Sequence, residues 1–568
     1  MMMMMMMDVN LKKFIEFLYE QKRKKFSTIF CTEKININEY PVRSICIGCR
    51  LSIIQMKNLS FLNITRSVIA IDCHEHIVNV YKLANVRSVM MEKINIDFQM
   101  YLQYILKCID EISKCISDYG IKLSLLPLET IGYKLFKPKL LPDNNYDDDH
   151  NNHKPFYLIP PKSLSWALFI LDENYNSFKM EKFKQFFSKR SKFYGINLKE
   201  CFISTFVQVK NVSEIDAIFS NLKTFQIDFV IFGISHGSKL GDVEIYELIK
   251  YYGNTIYGIA NQVFRTDNHS DNNQYMDSLV MKTCLRIGGQ PNIVHPHHWN
   301  RFPLNTNTTM IVGINEFAQH FHQIKLIFHS LIGTVDDIFT SYISINKISL
   351  DYNDNIYEQM FEDLLDKYYE KNNYHPRTVI IFQNFPIGDF KKVLTTKSLA
   401  DVRLTIIYVN KFTSTYFLPP IIDDNDNNNN GISVNMNFLY PETDDNELKE
   451  FIINIVPPTF EYNNQWQNQH CCCWKPCHYT IFFDDCNFTI EQLQEFCFTM
   501  CHYYYNNFYT SFLPVPMEYA LKFARDACSR FAALIVDQKF SFTKSIDELI
   551  EYFHQNVKIH DNLEYSIF

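Results

Sequence analysis

Between Tyr246 and Gly289 the chain reads YELIKYYGNTIYGIANQVFRTDNHSDNNQYMDSLVMKTCLRIGG, and two pairs of chemistry-bearing residues stand there at helical spacing. Tyr246 and Lys250 are four apart, as are Lys282 and Arg286, and residues at that interval share one helix face. Gln262 lies between the pairs, after Gly258, in an expected third helical segment. Tyr offers a ring face and a hydroxyl, Gln an amide, and Lys and Arg positive charge. The set suits the phosphorylated end of a nucleotide. A helix beginning near Asp242 would add backbone N–H donors at its start. Tyr and Lys at this spacing also mark ordinary solvated helix faces, so the pairs alone do not decide.

The elements around this stretch must position it. LSWALFILDE (164–173) predicts a strand, Lys179–Lys192 a helix, and CFISTFVQV another strand. A further helix leads to the strand FQIDFVIFGI, which ends at Ile234 and runs into SHGSKLGDVEIYELIK. Strands alternating with helices predict a parallel α/β sheet, and such sheets bind ligands just past their strand ends. Ser235, His236 and Gly237 form the loop there, with His236 read as a loop residue rather than a catalyst. A second unit follows from about Thr308, with strands at TMIVGI (309–314), TVIIF (378–382), LTIIYV (404–409) and HYTIFF (478–483). The helix EQMFEDLLDKYYEKN lies between the first two.

The remainder is less informative. Residues 8–25 predict an amphipathic helix with a basic end, and 97–117 another helix. From Ser44 to Ser88 apolar and polar residues alternate as in strands. The loops at Asp143–His153 and Asp423–Gly431 are acidic, low in complexity and read as disordered. The cluster HCCCWKPCH (470–478) lacks the paired units that zinc needs, since only Cys473 and Cys477 have a workable interval.

At 568 residues, 47% hydrophobic and 21% charged, the chain has globular composition and room for several domains. The formal net charge of −8 means that any nucleic-acid site must be a local basic patch. The 16 Cys are scattered, no secretory signal is recognisable, and no apolar run reaches the roughly 18 residues of a membrane span. A soluble, reduced protein of the cytoplasm or nucleus, with no membrane partner, is the expectation.

Y-x3-K, a Gln twelve residues on, then K-x3-R-x-G-G resembles the MID domain of the Argonaute/Piwi family. In that family the Tyr, Lys, Gln, Lys quartet grips the 5′ phosphate of a small guide RNA. The matching positions are Tyr246, Lys250, Gln262 and Lys282, with Arg286 at a further basic position. HYTIFFDDCNFTIEQLQEFCFTMCHYYYNN followed by LPVPMEYALKFA resembles the family's PIWI domain, an RNase H-like fold. VIAIDCHEHIVNVYKLANV resembles the later half of a PAZ domain, so the front of the chain looks shortened.

The resemblance implies an α/β fold: a Rossmann-like MID domain at 161–300, then an RNase H-like PIWI domain at 301–568. A short α+β N-terminal region precedes them, with a degenerate or partial PAZ-like part at 1–95 and a linker at 96–160. RNase H chemistry needs carboxylates that hold two Mg²⁺ ions across the scissile phosphate. The family's ligand positions carry Asn315, Gln383 and Leu521 here, and neither an amide nor a leucine serves a hard cation well. The family's inserted Glu would fall near Asp351–Asp354. Asp484 and Asp485 fall at a turn away from the centre, and Asp389 faces solvent. Around the last helix, Asn506, Glu518 and Asp526 stand where the family carries basic residues, with Arg525 one position off. The tail HDNLEYSIF resembles one that folds towards the guide, and in some members a terminal carboxylate there, Phe568 here, helps hold a Mg²⁺. No cofactor is otherwise required.

The expectation is therefore a non-cleaving guide-binding protein of RNA silencing. Its partners would be a 5′-phosphorylated small RNA, a complementary target RNA and silencing effector proteins. Two rivals stand beside it: a protein-interaction scaffold that has lost RNA binding, and an active nuclease with unrecognised ligands.

Overall fold

A computed structural model describes 133–136, 138–141, most of 164–411, and 477–502, 511–536, 545–559 and 563, with strand backbones at 2–4, 29–39, 42–56, 59–72, 431–435 and 450–455. The predicted helices at 8–25 and 97–117, the acidic loop at 143–153, most of the loop at 423–431, His236, Asn506 and Phe568 lie outside the described residues. So do most of the PAZ-like stretch and the cysteine cluster up to Pro476.

Contacts divide the chain into two units, one of Met1–Lys137 with Asn410–Tyr479 and one of Pro138–Val409 with Thr480–Phe568. In the first, strands Ile29–Glu39, Val42–Met56 and Leu59–Asp72 form an antiparallel meander, with Met2–Met4 added beyond the third. Strands Gly431–Asn435 and Glu450–Ile455 pair antiparallel, and Tyr133–Leu135 joins the former.

The second unit carries both candidate regions. Strands β1 (Leu164–Ile170), β2 (Leu198–Phe206), β3 (Phe229–Ile234) and β4 (Ala260–Arg265) form a parallel sheet in the order β4-β3-β1-β2. Helices α1 (Ser177–Phe193) and α4 (Asn273–Arg286) share a core with one face of it, through Trp166, Leu168, Ile231 and Phe264. Helices α2 (Val212–Thr224) and α3 (Ile245–Tyr251) share a core with the other, through Ala167, Phe169, Val230 and Phe232. The apolar run FVIFGI of β3 is buried throughout, as a strand covered on both faces must be.

The next sheet places β5 (Thr309–Phe321), β6 (Ile324–Thr334) and β7 (Tyr342–Ser349) as an antiparallel meander. Strands β8 (Thr378–Gln383) and β9 (Arg403–Asn410) extend it in parallel beside β5, followed by β10 (Cys477–Asp484). The long helix α5 (Asp354–Asn372) and α6 (Phe390–Thr396) cover one face. After α7 (Ile490–Met500), helix α8 (Val515–Val536) covers the other. Ala524, Ala527 and Phe531 of α8 share one apolar core with Leu248 and Ile249 of α3. α8 thus joins the core of the second sheet to the helix that carries Tyr246 and Lys250.

Among the described residues no helix is long and apolar enough to cross a membrane.

Candidate functional site

Helix α3 begins at Ile245 rather than near Asp242, and the Glu247 carboxylate accepts the Glu244 backbone N–H at 3.2 Å. That contact occupies one of the donors expected at the helix start. α3 then widens into a π-helical turn, Tyr252–Tyr257, which Gly258 ends with φ of 63°. The chain enters β4 directly, so Gln262 lies on a strand and not on a third helical segment. Parallel pairing with β3, Gln262 opposite Ile231, overrides the local helical expectation, and Val263 and Phe264 suit a pleated, half-buried surface.

Lys250 is 3% exposed. Its ammonium donates to Asn261 Oδ1 at 2.8 Å and to the Asn261 carbonyl at 3.0 Å, and lies 5.5 Å from the centre of the Tyr246 ring. The Asn261 amide donates in turn to Asn254 Oδ1 at 2.9 Å and to the Ile259 carbonyl at 3.1 Å. Asn261 thus locks the ammonium to the π-helical turn. Gly253 is needed there, because a Cβ would stand 2.2 Å from Asn261 Nδ2. Burial, then the Arg286 guanidinium, push the Lys250 pKa well down, while Asp526 opposes the shift. Burial raises the Tyr246 phenol to about 12, with Asp526 adding and Arg286 opposing.

Arg286 is also buried, and Asp526 and Tyr246 partly offset the effect of burial on its pKa. Lys282 shares its helix face, one turn earlier, and its pKa is lowered by burial. Gln262 stands apart from the others. Alternation along β4 puts it on the face opposite Asn261, and its amide donates to the Val263 carbonyl at 3.3 Å.

Helix α8 supplies residues that spacing within 246–289 did not reveal. Lys522, Asp526 and Arg530 follow at intervals of four along it. Burial, then Arg286, lower the Lys522 pKa to about 7, with Asp526 opposing and Lys282 assisting. The signal lay in the sequence as a charged i, i+4, i+8 ladder on a helix otherwise rich in apolar residues. Arg525, next to Asp526, is exposed and lies 5.6 Å over the Phe317 ring. Tyr246, Lys250, Arg286, Lys522 and Arg530 therefore all feel one acid in common, Asp526, while Glu247 also acts on Tyr246 and Lys282 on Lys522.

The groove positions sit at the other end of α8. Asn315 is 4% exposed within β5, which continues past it to Phe321 instead of ending before it. Its Nδ2 donates to the Met517 carbonyl at 3.2 Å, and its Oδ1 accepts the Glu316 N–H at 3.0 Å. Gln383 ends the neighbouring strand β8, is 1% exposed, and its Oε1 has no hydrogen-bond partner among the described residues. Leu521 is half-buried one helical turn beyond Met517. The approach of α8 is close because position 313 is glycine: a Cβ there would meet the Pro516 backbone at 2.2 Å.

Nearby acids have other partners. Asp484 accepts from Thr405 Oγ1 and the Phe488 N–H, both at 3.0 Å, and Asp485 pairs with Lys391 at 2.5 Å. Both are half-buried and hold a turn. Asp389 is exposed and caps α6 through the Lys392 N–H at 3.0 Å. Glu316 accepts from Tyr357 at 3.2 Å, and the same hydroxyl lies 2.7 Å from Nδ1 of His329. Among the described residues no three His, Cys, Asp or Glu side chains gather in a metal-ligand cluster.

A family model described as the Piwi domain matches residues 230–530, more than half of the chain. The fold is similar to that of Drosophila Piwi, with a TM-score of 0.61 at 13% identity over 92% of this chain and 84% of that one. It is also similar to Kluyveromyces polysporus Argonaute solved with a guide RNA, with a TM-score of 0.64 at 15% identity over 94% and 78%. Marinitoga piezophila Argonaute, solved with a 5′ OH guide RNA and target DNA, gives 0.59 at 15% identity over 90% and 84%. The family match over residues 230–530, on a Rossmann-like sheet followed by an RNase H-like one, identifies the chain as a member of the Argonaute/Piwi family.

Proposed function

We propose that this protein holds the 5′-phosphorylated end of a small guide RNA and uses base pairing to find target RNA, without cutting it. One observation carries the reading: buried Lys250 and Arg286 and half-buried Lys282 and Lys522, from α3, α4 and α8, form one positive cluster with half-buried Tyr246 beside them in an acidic chain. A cluster so expensive to desolvate calls for an anionic ligand. Lys250 and Arg286 are the core of the anchor, Lys282 and Lys522 extend it, and Tyr246 offers a ring to the first base. Gln262 is a lesser contributor, given its position on the opposite face of β4. Solved relatives that contain guide RNA support the ligand class.

The absence of cutting rests on Asn315, Gln383 and Leu521. Two neutral amides and an alkyl chain give Mg²⁺ too little negative charge for two-metal hydrolysis. Output would then pass through recruited silencing effectors. A Mg²⁺ beside the phosphate would need the chain's own terminal carboxylate.

End-labelling and sequencing of RNA that co-purifies with the protein tests the reading. A discrete population of 5′-phosphorylated small RNAs is expected, lost in Lys250→Glu with Lys282→Glu. Its absence from the wild type would favour the scaffold reading, and reproducible Mg²⁺-dependent cleavage of a matched target would overturn the non-cleaving one.

A further inference from the structure

Asp526 acts on every one of Lys250, Arg286, Lys522 and Arg530. Lys522, Asp526 and Arg530 present positive, negative and positive groups in turn along one face of α8. Asp526 and Arg530 line a cavity of about 20 Å³ together with Asn254, Arg286, Phe523 and Leu563. Such a space admits a water or two. Arg530 is 3% exposed, and its Nε has no hydrogen-bond partner among the described residues. The charge of Asp526 favours the protonated forms of Lys250, Arg286, Lys522, Arg530 and Tyr246, groups drawn from three helices.

We propose that Asp526 is a resident counter-ion of the anchor, which does for the guide-free pocket what the guide's terminal phosphate does once bound, and competes with it. The inference rests on the guide-binding reading and adds a residue that sets how strongly the terminus is held. Buried cations without a counter-charge are costly, and the carboxylate relieves that cost before a guide arrives. When a phosphate of −1.5 to −2 charge enters, roughly as a phosphomonoester carries near neutrality, it meets the carboxylate in a poorly screened space. The two anions repel there. The pocket therefore prefers a 5′ phosphate over a 5′ hydroxyl less strongly than its cations alone would dictate, and it releases the terminus more readily.

The test titrates one short RNA, in 5′-phosphorylated and 5′-hydroxyl forms, into the full chain as wild type, Asp526→Asn and Asp526→Glu. Asp526→Asn should tighten the phosphorylated RNA about tenfold, shift the hydroxyl form by less than about twofold, and leave Asp526→Glu near wild type. An unchanged or reduced phosphate preference in Asp526→Asn overturns the proposal. Thermal melts with inorganic phosphate give a second reading. Asp526→Asn should melt below wild type in phosphate-free buffer and gain more from added phosphate, even if it folds only when phosphate is present. A variant that phosphate does not restore overturns the proposal as well. If wild type binds neither RNA, the guide reading falls, while the phosphate melts still decide the role of Asp526.

Discussion

The ammonium of Lys250 is held by both oxygens of a single residue, Asn261, at 2.8 and 3.0 Å. The side-chain oxygen is the replaceable half of that grip. Asn261→Leu, close in shape, leaves the buried amine with the carbonyl alone and leaves Asn254 Oδ1 without its donor. A stability loss of about 2 kcal/mol is expected in urea unfolding. The phosphate preference should fall with it, because Lys250 is no longer aimed.

A pH dependence follows from Lys522, whose pKa is lowered to about 7 chiefly by burial. Lys250 on α3, Lys282 and Arg286 on α4, and Asp526 on α8 are charged groups that act on it. In the unfolded chain a lysine titrates near 10.4, so folding sheds a proton between about 7 and that value and stability rises with pH across this window. A bound phosphate favours the ammonium, so binding takes up a proton. Affinity for a 5′-phosphorylated RNA should therefore strengthen as pH falls from about 9 to 7, until the phosphate itself gains a proton near 6. Lys522→Arg should flatten this slope, which fluorescence titration at several pH values would read.

Gly313 lets α8 lie against β5. Its replacement by Ala sets a methyl 2.2 Å from the Pro516 backbone, a contact that only movement of the helix relieves. Overpacking of this kind costs about 1–3 kcal/mol. A lowered melting temperature, and weaker RNA binding although the anchor residues are intact, are the expected outcomes.

The groove can be probed by returning charge to it. Asn315→Asp sets a carboxylate against the Met517 carbonyl, which the Asn315 amide now satisfies at 3.2 Å. Alone, this should destabilise the fold by about 3 kcal/mol. With Gln383→Asp and Leu521→Asp added, Mg²⁺ should restore part of the loss in thermal melts, since three carboxylates can share the ion. Equal melting with and without Mg²⁺ would show that the three positions do not converge.

The strand–helix alternation and the two sheets were readable because the buried strands carry unbroken apolar runs, such as FVIFGI in β3 and TVIIFQ in β8. Gln262 was misread because six residues after a glycine carry too little periodicity to separate strand from helix, and pairing with β3 decided it. Asn315 was expected past a strand end, but antiparallel pairing with β6 carries β5 on to Phe321. Asn261 and Lys522 were invisible for a different reason. Each acts on a partner that only the fold brings near, Lys250 from eleven residues away and Arg286 from another element entirely. Local spacing finds residues that share a helix face; it says nothing about which helix comes to meet them.

Leu521 and Lys522 are neighbours on α8, yet one stands at a proposed cutting-site position and the other beside the proposed anchor. Their division of labour depends on the phase of one screw. Inserting a single residue between Pro516 and Leu521 would turn everything after it by about 100° relative to the fixed contact at Gly313. Lys522, Asp526 and Arg530 would swing off the anchor together, while the same insertion beyond Arg530 would leave them untouched.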